Sequence, residues 1–144
     1  MTIDQLFQIA ETHNIYIDDT FPLDSIKAAS CELENGYYVI GLHRALKAAA
    51  YREHLAHEIG HCITGAFYNP RTPVFTRMQC ENRAYRWQMK KLMPWRSLEK
   101  AVRIGYTEAW QLAEYFDVSE GFVRKAVEIY AQEGKTINLI RDNI

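Results

Sequence analysis

Little in this sequence points outward to a membrane or to nucleic acid. No apolar run approaches the roughly 18 residues that span a bilayer, so no transmembrane helix is expected. The opening Met1-Thr2-Ile3-Asp4 lacks the basic and apolar regions of a secretory leader, and a cytoplasmic location is expected. Neither sign of charge is in excess: 17 Lys and Arg against 18 Asp and Glu leave a formal net charge of -1. Direct nucleic-acid binding therefore has no electrostatic support. Cysteine is scarce and odd in number. Cys31, Cys62 and Cys80 show no C-x-x-C spacing, which favours free thiols in a reducing compartment over a disulfide framework. What remains is a chain of 144 residues with 48% hydrophobic content, enough for one globular domain with a core.

The stretch from Glu53 to Gly65 carries the densest chemistry. Within it His57-Glu58-Ile59-Gly60-His61 reads H-E-x-x-H. Residues four apart on an α-helix lie roughly 40° apart around the axis, so His57 and His61 project from one face and can grip one metal ion. Glu58 sits about 100° round from His57, where it can act as the general base on a metal-activated water without being a ligand. Neutral imidazole suits Zn2+, and a catalytic zinc takes three protein ligands with a position left open for water. Leu55, Ile59, Cys62, Ile63 and Ala66 supply an apolar face at spacings of three and four, as a half-buried helix requires. Gly60, which costs about 1 kcal/mol in a helix interior relative to Ala, would let another segment approach between the histidines. A thiolate ligand from Cys62 or Cys80 is disfavoured, because helix neighbours one apart do not face the same way.

Along the chain, Thr2 to Thr12 reads as a helix, with Ile3, Leu6, Phe7 and Ala10 at helical spacing and Asp4 in the first turn. Ile15-Tyr16-Ile17 is a short β-like run, followed by a loop at Asp18-Asp19 and Pro22. Lys27 to Leu33 and Tyr37 to Leu42 read as strands joined through Asn35-Gly36, a type I′ hairpin signal. An extended substrate could add to a sheet edge beside the metal helix. Gly36 to Leu42 is the candidate edge, with a strand that merely covers the helix as the alternative. His54, three before His57, is expected near the surface at the start of its helix, with a supporting contact to the metal site as the alternative, and His43 has no helical partner. In the loop after Gly65, Tyr68 is expected to pack rather than to meet a substrate carbonyl.

Met78 to Met93 is again helical and ends at Pro94, with Ala84, Trp87 and Leu92 on or near one stripe. Glu81 lies in it, twenty residues beyond His61. A second helix packed on the first could present that carboxylate as the third ligand of one Zn2+. Three further helices follow, Trp95 to Gly105, Thr107 to Phe116 and Ser119 to Glu133, with Thr107 and Ser119 as N-caps. The last two form a helix-turn-helix silhouette, but Glu120-Gly121-Phe122 opens the second without basic or amide side chains for DNA. Core scaffold is the reading preferred there. The tail from Lys135 to Ile144 is undecided between strand and fraying.

Taken together, Glu53 to Cys62, Cys80-Glu81-Asn82-Arg83-Ala84-Tyr85-Arg86-Trp87, Lys91-Leu92-Met93-Pro94 and the Leu112 to Tyr130 helix pair resemble the ImmA/IrrE metallopeptidase family. The resemblance implies a zinc endopeptidase of prophages and other mobile elements that cleaves or inactivates a helix-turn-helix repressor and derepresses genes. It implies His57, His61 and Glu81 as ligands and Glu58 as base. Tyr85 departs from the pattern, standing where many relatives carry an Asp or Asn that supports the zinc-binding histidines. The expected fold is a zincin-like α+β domain over 1–144, a small antiparallel or mixed sheet flanking the metal helix and a mostly helical C-terminal half. Its catalytic core would cover 1–94, a helical subregion 95–134 and a tail 135–144. A non-catalytic, zinc-stabilised interaction module regulating transcription by protein binding is the competing function.

Overall fold

The computed structural model describes residues 1–21 and 26–137. Its elements are α1 (Ile3–Thr12), β1 (Ile15–Phe21), β2 (Ala28–Glu32), β3 (Tyr38–His43), α2 (Ala48–Thr64), α3 (Val74–Leu92), α4 (Trp95–Arg103), α5 (Ala109–Phe116) and α6 (Glu120–Gln132). This is the expected α+β architecture, with a mixed sheet and a C-terminal half built of helices. Pro22 and the chain beyond Ile137 lie outside the described residues. No described helix is long and apolar enough to cross a membrane. Two compact units divide the chain, one from Met1 to Gln88 and one beginning at Met89.

In the first unit, Thr2 caps α1 through a reciprocal pair: its Oγ1 accepts from the Gln5 N–H at 3.2 Å, and its own N–H donates to Gln5 Oε1 at 2.8 Å. The sheet has the order β1-β3-β2. β1 runs parallel to β3, with Ile17 opposite Ile40, and β2 runs antiparallel to it, with Ser30 opposite Ile40 and Ala28 opposite Leu42. Two expectations are corrected here. Asp18 and Asp19 lie within β1 rather than in a loop, the ladder absorbing an irregularity between Asp18 and Phe21. The stretch Gly36 to Leu42 is not an edge, because β3 is paired on both sides; the edge strand beside the metal helix is β2.

The β2–β3 connection keeps the expected backbone, with positive φ at both Asn35 (63°) and Gly36 (76°). It is closed one residue wider, by Leu33 N–H donating to the Tyr37 carbonyl at 2.7 Å. Helix α2 lies across β2 and β3. Leu55 and Ile59 from the helix and Ile40 and Leu42 from the sheet are fully buried, each contributing about 1.5–3 kcal/mol. Of the apolar face expected on α2, only Ile63 is partly exposed. Arg52 Nε donates to the Met1 carbonyl at 2.8 Å, tying α2 to the start of the chain.

Helix α3 begins at Val74, four residues before the expected Met78, because Pro73 fixes its own φ and cannot extend a helix backwards. In the second unit, Tyr130 donates its hydroxyl to the Met93 carbonyl at 2.9 Å, and its ring lies 5.2 Å from that of Trp95. Ser119 caps α6 as expected, accepting from the Phe122 N–H at 3.1 Å. The cap of α5 is Glu108 rather than Thr107, since Gln111 Oε1 folds back onto the N–H groups of both.

Candidate metal centre

Gly60 decides where α3 crosses α2. A Cβ built there would stand 2.6 Å from the Ala84 carbonyl oxygen and 3.2 Å from its Cα, so only glycine lets the two backbones approach this closely. The crossing falls between His57 and His61, and it places Glu81 and Gln88, one turn to either side of Ala84, against the histidines. Glu81 Oε2 lies 2.8 Å from His57 Nε2, and Oε1 lies 3.3 Å from His61 Nε2. The far nitrogens are fixed as well. Gln88 Nε2 donates to the Glu53 carbonyl at 2.8 Å, which turns Gln88 Oε1 toward His57 Nδ1 at 2.9 Å. Gly65 ends α2 in the left-handed conformation (φ 66°), bending the chain so that the Ala66 carbonyl sits 2.6 Å from His61 Nδ1.

Both partners of the Nδ1 atoms can only accept, so each Nδ1 carries a proton and each Nε2 of a neutral ring presents a lone pair. Those lone pairs face a carboxylate that is itself an acceptor. The contact needs positive charge between them. Two extra protons would supply it, at the cost of two imidazolium rings with centroids 4.9 Å apart, a repulsion of about 3 kcal/mol at an effective dielectric of 20. One divalent cation supplies the same charge without that repulsion. The three ligand-type atoms lie within 4.8 Å of one another; the 3.3 Å separation matches the roughly 3.3 Å edge of a tetrahedron with zinc-like bond lengths, and the 2.8 Å one falls short of it by about half an ångström. The donor set therefore fits a metal ion. Burial pushes His61 down, but its bonds to Glu81 and the Ala66 carbonyl outweigh this and leave it above the ordinary histidine value. When protons rather than an ion supply that charge, hydrogen bonds from His57 and then His61 hold the Glu81 carboxyl well below the usual carboxylate range.

A cavity of about 260 Å3 opens onto this cluster, lined by Glu58, His61, Tyr68 and Glu81 on one side and by Ile26 and Ala28 to Ser30 on the other. Glu58 is buried, at 7% exposure, yet reaches the cavity. Its Oε2 accepts from Ser30 Oγ at 2.6 Å. Opposite residues of paired strands share a face, so Ser30, set against the fully buried Ile40, points from β2 toward α2. Sequence reasoning missed Ser30, because nothing along the chain announces a contact across 28 positions. Tyr68 is corrected: instead of packing it is 44% exposed and donates to Glu81 Oε1 at 2.6 Å. That bond, with burial, pushes its phenol up to about 12.

Residues 10–128 match the peptidase family described as the IrrE N-terminal-like domain. The chain belongs to that family. No curated protein and no solved structure matches it.

In this IrrE-like chain the remaining candidates are not among the clustered ligand-type residues. Cys31, Cys62 and Cys80 are free thiols; burial pushes Cys62 up to about 12, and Cys80 Sγ lies 3.8 Å from the Phe67 carbonyl. His43 Nδ1 accepts from the Ala45 N–H at 3.0 Å in a local turn. His54 is half-buried rather than at the surface, and burial lowers its imidazole. Tyr85 is buried with its ring 6.4 Å from that of His57. The place expected of an Asp or Asn at that position is taken by Gln88, which holds His57 Nδ1. Removing such a partner costs about 10–100-fold in metal affinity. Gln88→Leu should therefore weaken metal binding by that factor in a competition titration against a chromogenic chelator, and unchanged affinity would show that the Gln88 bond does not hold His57.

Proposed function

We propose that this chain is a zinc-dependent endopeptidase that hydrolyses a peptide bond in a partner protein, a helix-turn-helix repressor of a prophage or other mobile element, and so derepresses genes. The observation that carries the reading is the convergence of His57, His61 and Glu81 beside the Glu58 carboxylate in a cavity walled by an edge strand. His57, His61 and Glu81 would hold one Zn2+. Bound there, zinc would polarise the scissile carbonyl and lower the pKa of water.

The chain's own groups account for the rest. Glu58 accepts a proton from the attacking water and returns it to the leaving amine. Ser30 keeps Glu58 Oε2 occupied, leaving Oε1 for the water. The outer edge of β2 offers main-chain N–H and C=O groups to an extended segment, in the manner of strand addition. Membership of a peptidase family supports a protein substrate, and the resemblance to repressor-cleaving relatives supports its class.

The test is to incubate the zinc-loaded protein with any helix-turn-helix proteins encoded by the genes flanking its own and to read fragments by mass spectrometry. Discrete fragments are expected, lost on chelation and restored by one equivalent of zinc. No fragments, or fragments undiminished after chelation, would overturn the reading.

A further inference from the structure

As a peptide carbonyl is attacked, its oxygen gains negative charge, and a hydrogen-bond donor aimed at it stabilises the transition state. The cavity is poor in donors. Glu58 and Glu81 are acceptors, His61 directs its Nδ1 proton to the Ala66 carbonyl, and Ser30 directs its hydroxyl to Glu58. Among the described residues the other lining side chains are apolar, which leaves the Tyr68 hydroxyl as the one side-chain donor among them able to turn toward a substrate.

Resting on the peptidase reading above, we infer that Tyr68 is a further catalytic residue, which leaves Glu81 when substrate enters and donates its hydrogen bond to the scissile carbonyl oxygen. Its position suits this. The phenol stands on the segment between α2 and α3, 44% exposed, with its ring 6.3 Å from that of His61 and its hydroxyl 2.6 Å from Glu81 Oε1. Its hydrogen-bond partner Glu81 is itself partly exposed, so turning the hydroxyl away leaves no buried acceptor unpaired. Glu81 keeps His57 and His61 as neighbours when the phenol departs. A side chain that served only to brace Glu81 would be expected inside the protein, where the contact is shielded from competing water, and Tyr68 is at the rim.

Tyr68→Phe removes the donor and keeps the ring. In the zinc-loaded protein, kcat should fall about 10²–10³-fold with KM little changed. The deciding measurement needs no turnover: calorimetric binding of two inhibitors built on the same Phe-Ala scaffold, a phosphinic peptide with a charged tetrahedral oxygen and a thiol with none. The variant should bind the phosphinate about a hundredfold more weakly and the thiol equally well, with metal content unchanged. Equal losses for both inhibitors, with a fall in metal affinity, would reduce Tyr68 to a brace for Glu81 and overturn the inference. Unchanged binding of both would overturn it too. Failure of the unaltered, zinc-loaded protein to bind either inhibitor would instead strike the peptidase reading, and this inference with it.

Discussion

Glu58→Gln is expected to give a folded, metal-binding protein whose peptide hydrolysis is about 10²–10⁴-fold slower, the range ascribed to a positioned general base. The amide has the carboxylate's shape and can still accept from Ser30 Oγ, so the 2.6 Å contact between β2 and α2 survives. What it loses is the ability to take a proton from water. Glu58 is not among the three clustered ligand-type residues, so metal content by elemental analysis should match the parent protein. The same variant separates the two classes of function. An interaction module acting by binding alone would derepress its target as well with glutamine as with glutamate. Full activity of the variant in a derepression assay would therefore remove hydrolysis from the mechanism.

Gly60→Ala is expected to destabilise the protein although alanine is the better helix former. Helix propensity favours the substitution by about 1 kcal/mol. Against it stands a methyl group placed 2.6 Å from the Ala84 carbonyl oxygen, a backbone atom that cannot swing aside. Forcing packed helices apart costs typically about 1–3 kcal/mol and occasionally more, so the steric term should win. Because Glu81 and Gln88 both ride on α3, the shift would also carry the carboxylate and the His57 partner away together, lowering metal affinity by at least about tenfold. Gly121 in α6 is the control. Nothing lies within 4 Å of a Cβ there, and Gly121→Ala should stabilise by about 0.4–1 kcal/mol. Denaturant melts with and without metal would check both signs. A Gly60→Ala protein as stable as the parent would mean that the close crossing is not what seats Glu81.

That His57, His61 and Glu81 could come together was legible in the sequence because it rests on helical periodicity. Two histidines four apart must share a face wherever the helix lies, and Glu81 needed only a second helix crossing the first. Gly60 even marked the crossing point. The strands were legible in part. Alternation and Asn35-Gly36 found β2 and β3, but the edge was misplaced because pairing order is not written in either strand. Tyr68 was misread for a related reason: an aromatic side chain in a loop is equally consistent with packing and with a polar contact until its neighbours are known.

The sequence by itself determined the helical frame, the identity and spacing of His57, Glu58 and His61, and the hairpin that follows β2, since each depends on neighbours within a few residues. Only the tertiary structure decided that β1 pairs parallel with β3 and leaves β2 at the edge, that Gln88 meets His57 Nδ1, and that Ser30 and Tyr68 hold the two carboxylates. These are contacts between segments far apart along the chain. Their geometry is set by how whole elements pack, and packing depends on shape and buried area summed over the unit, which no local pattern records.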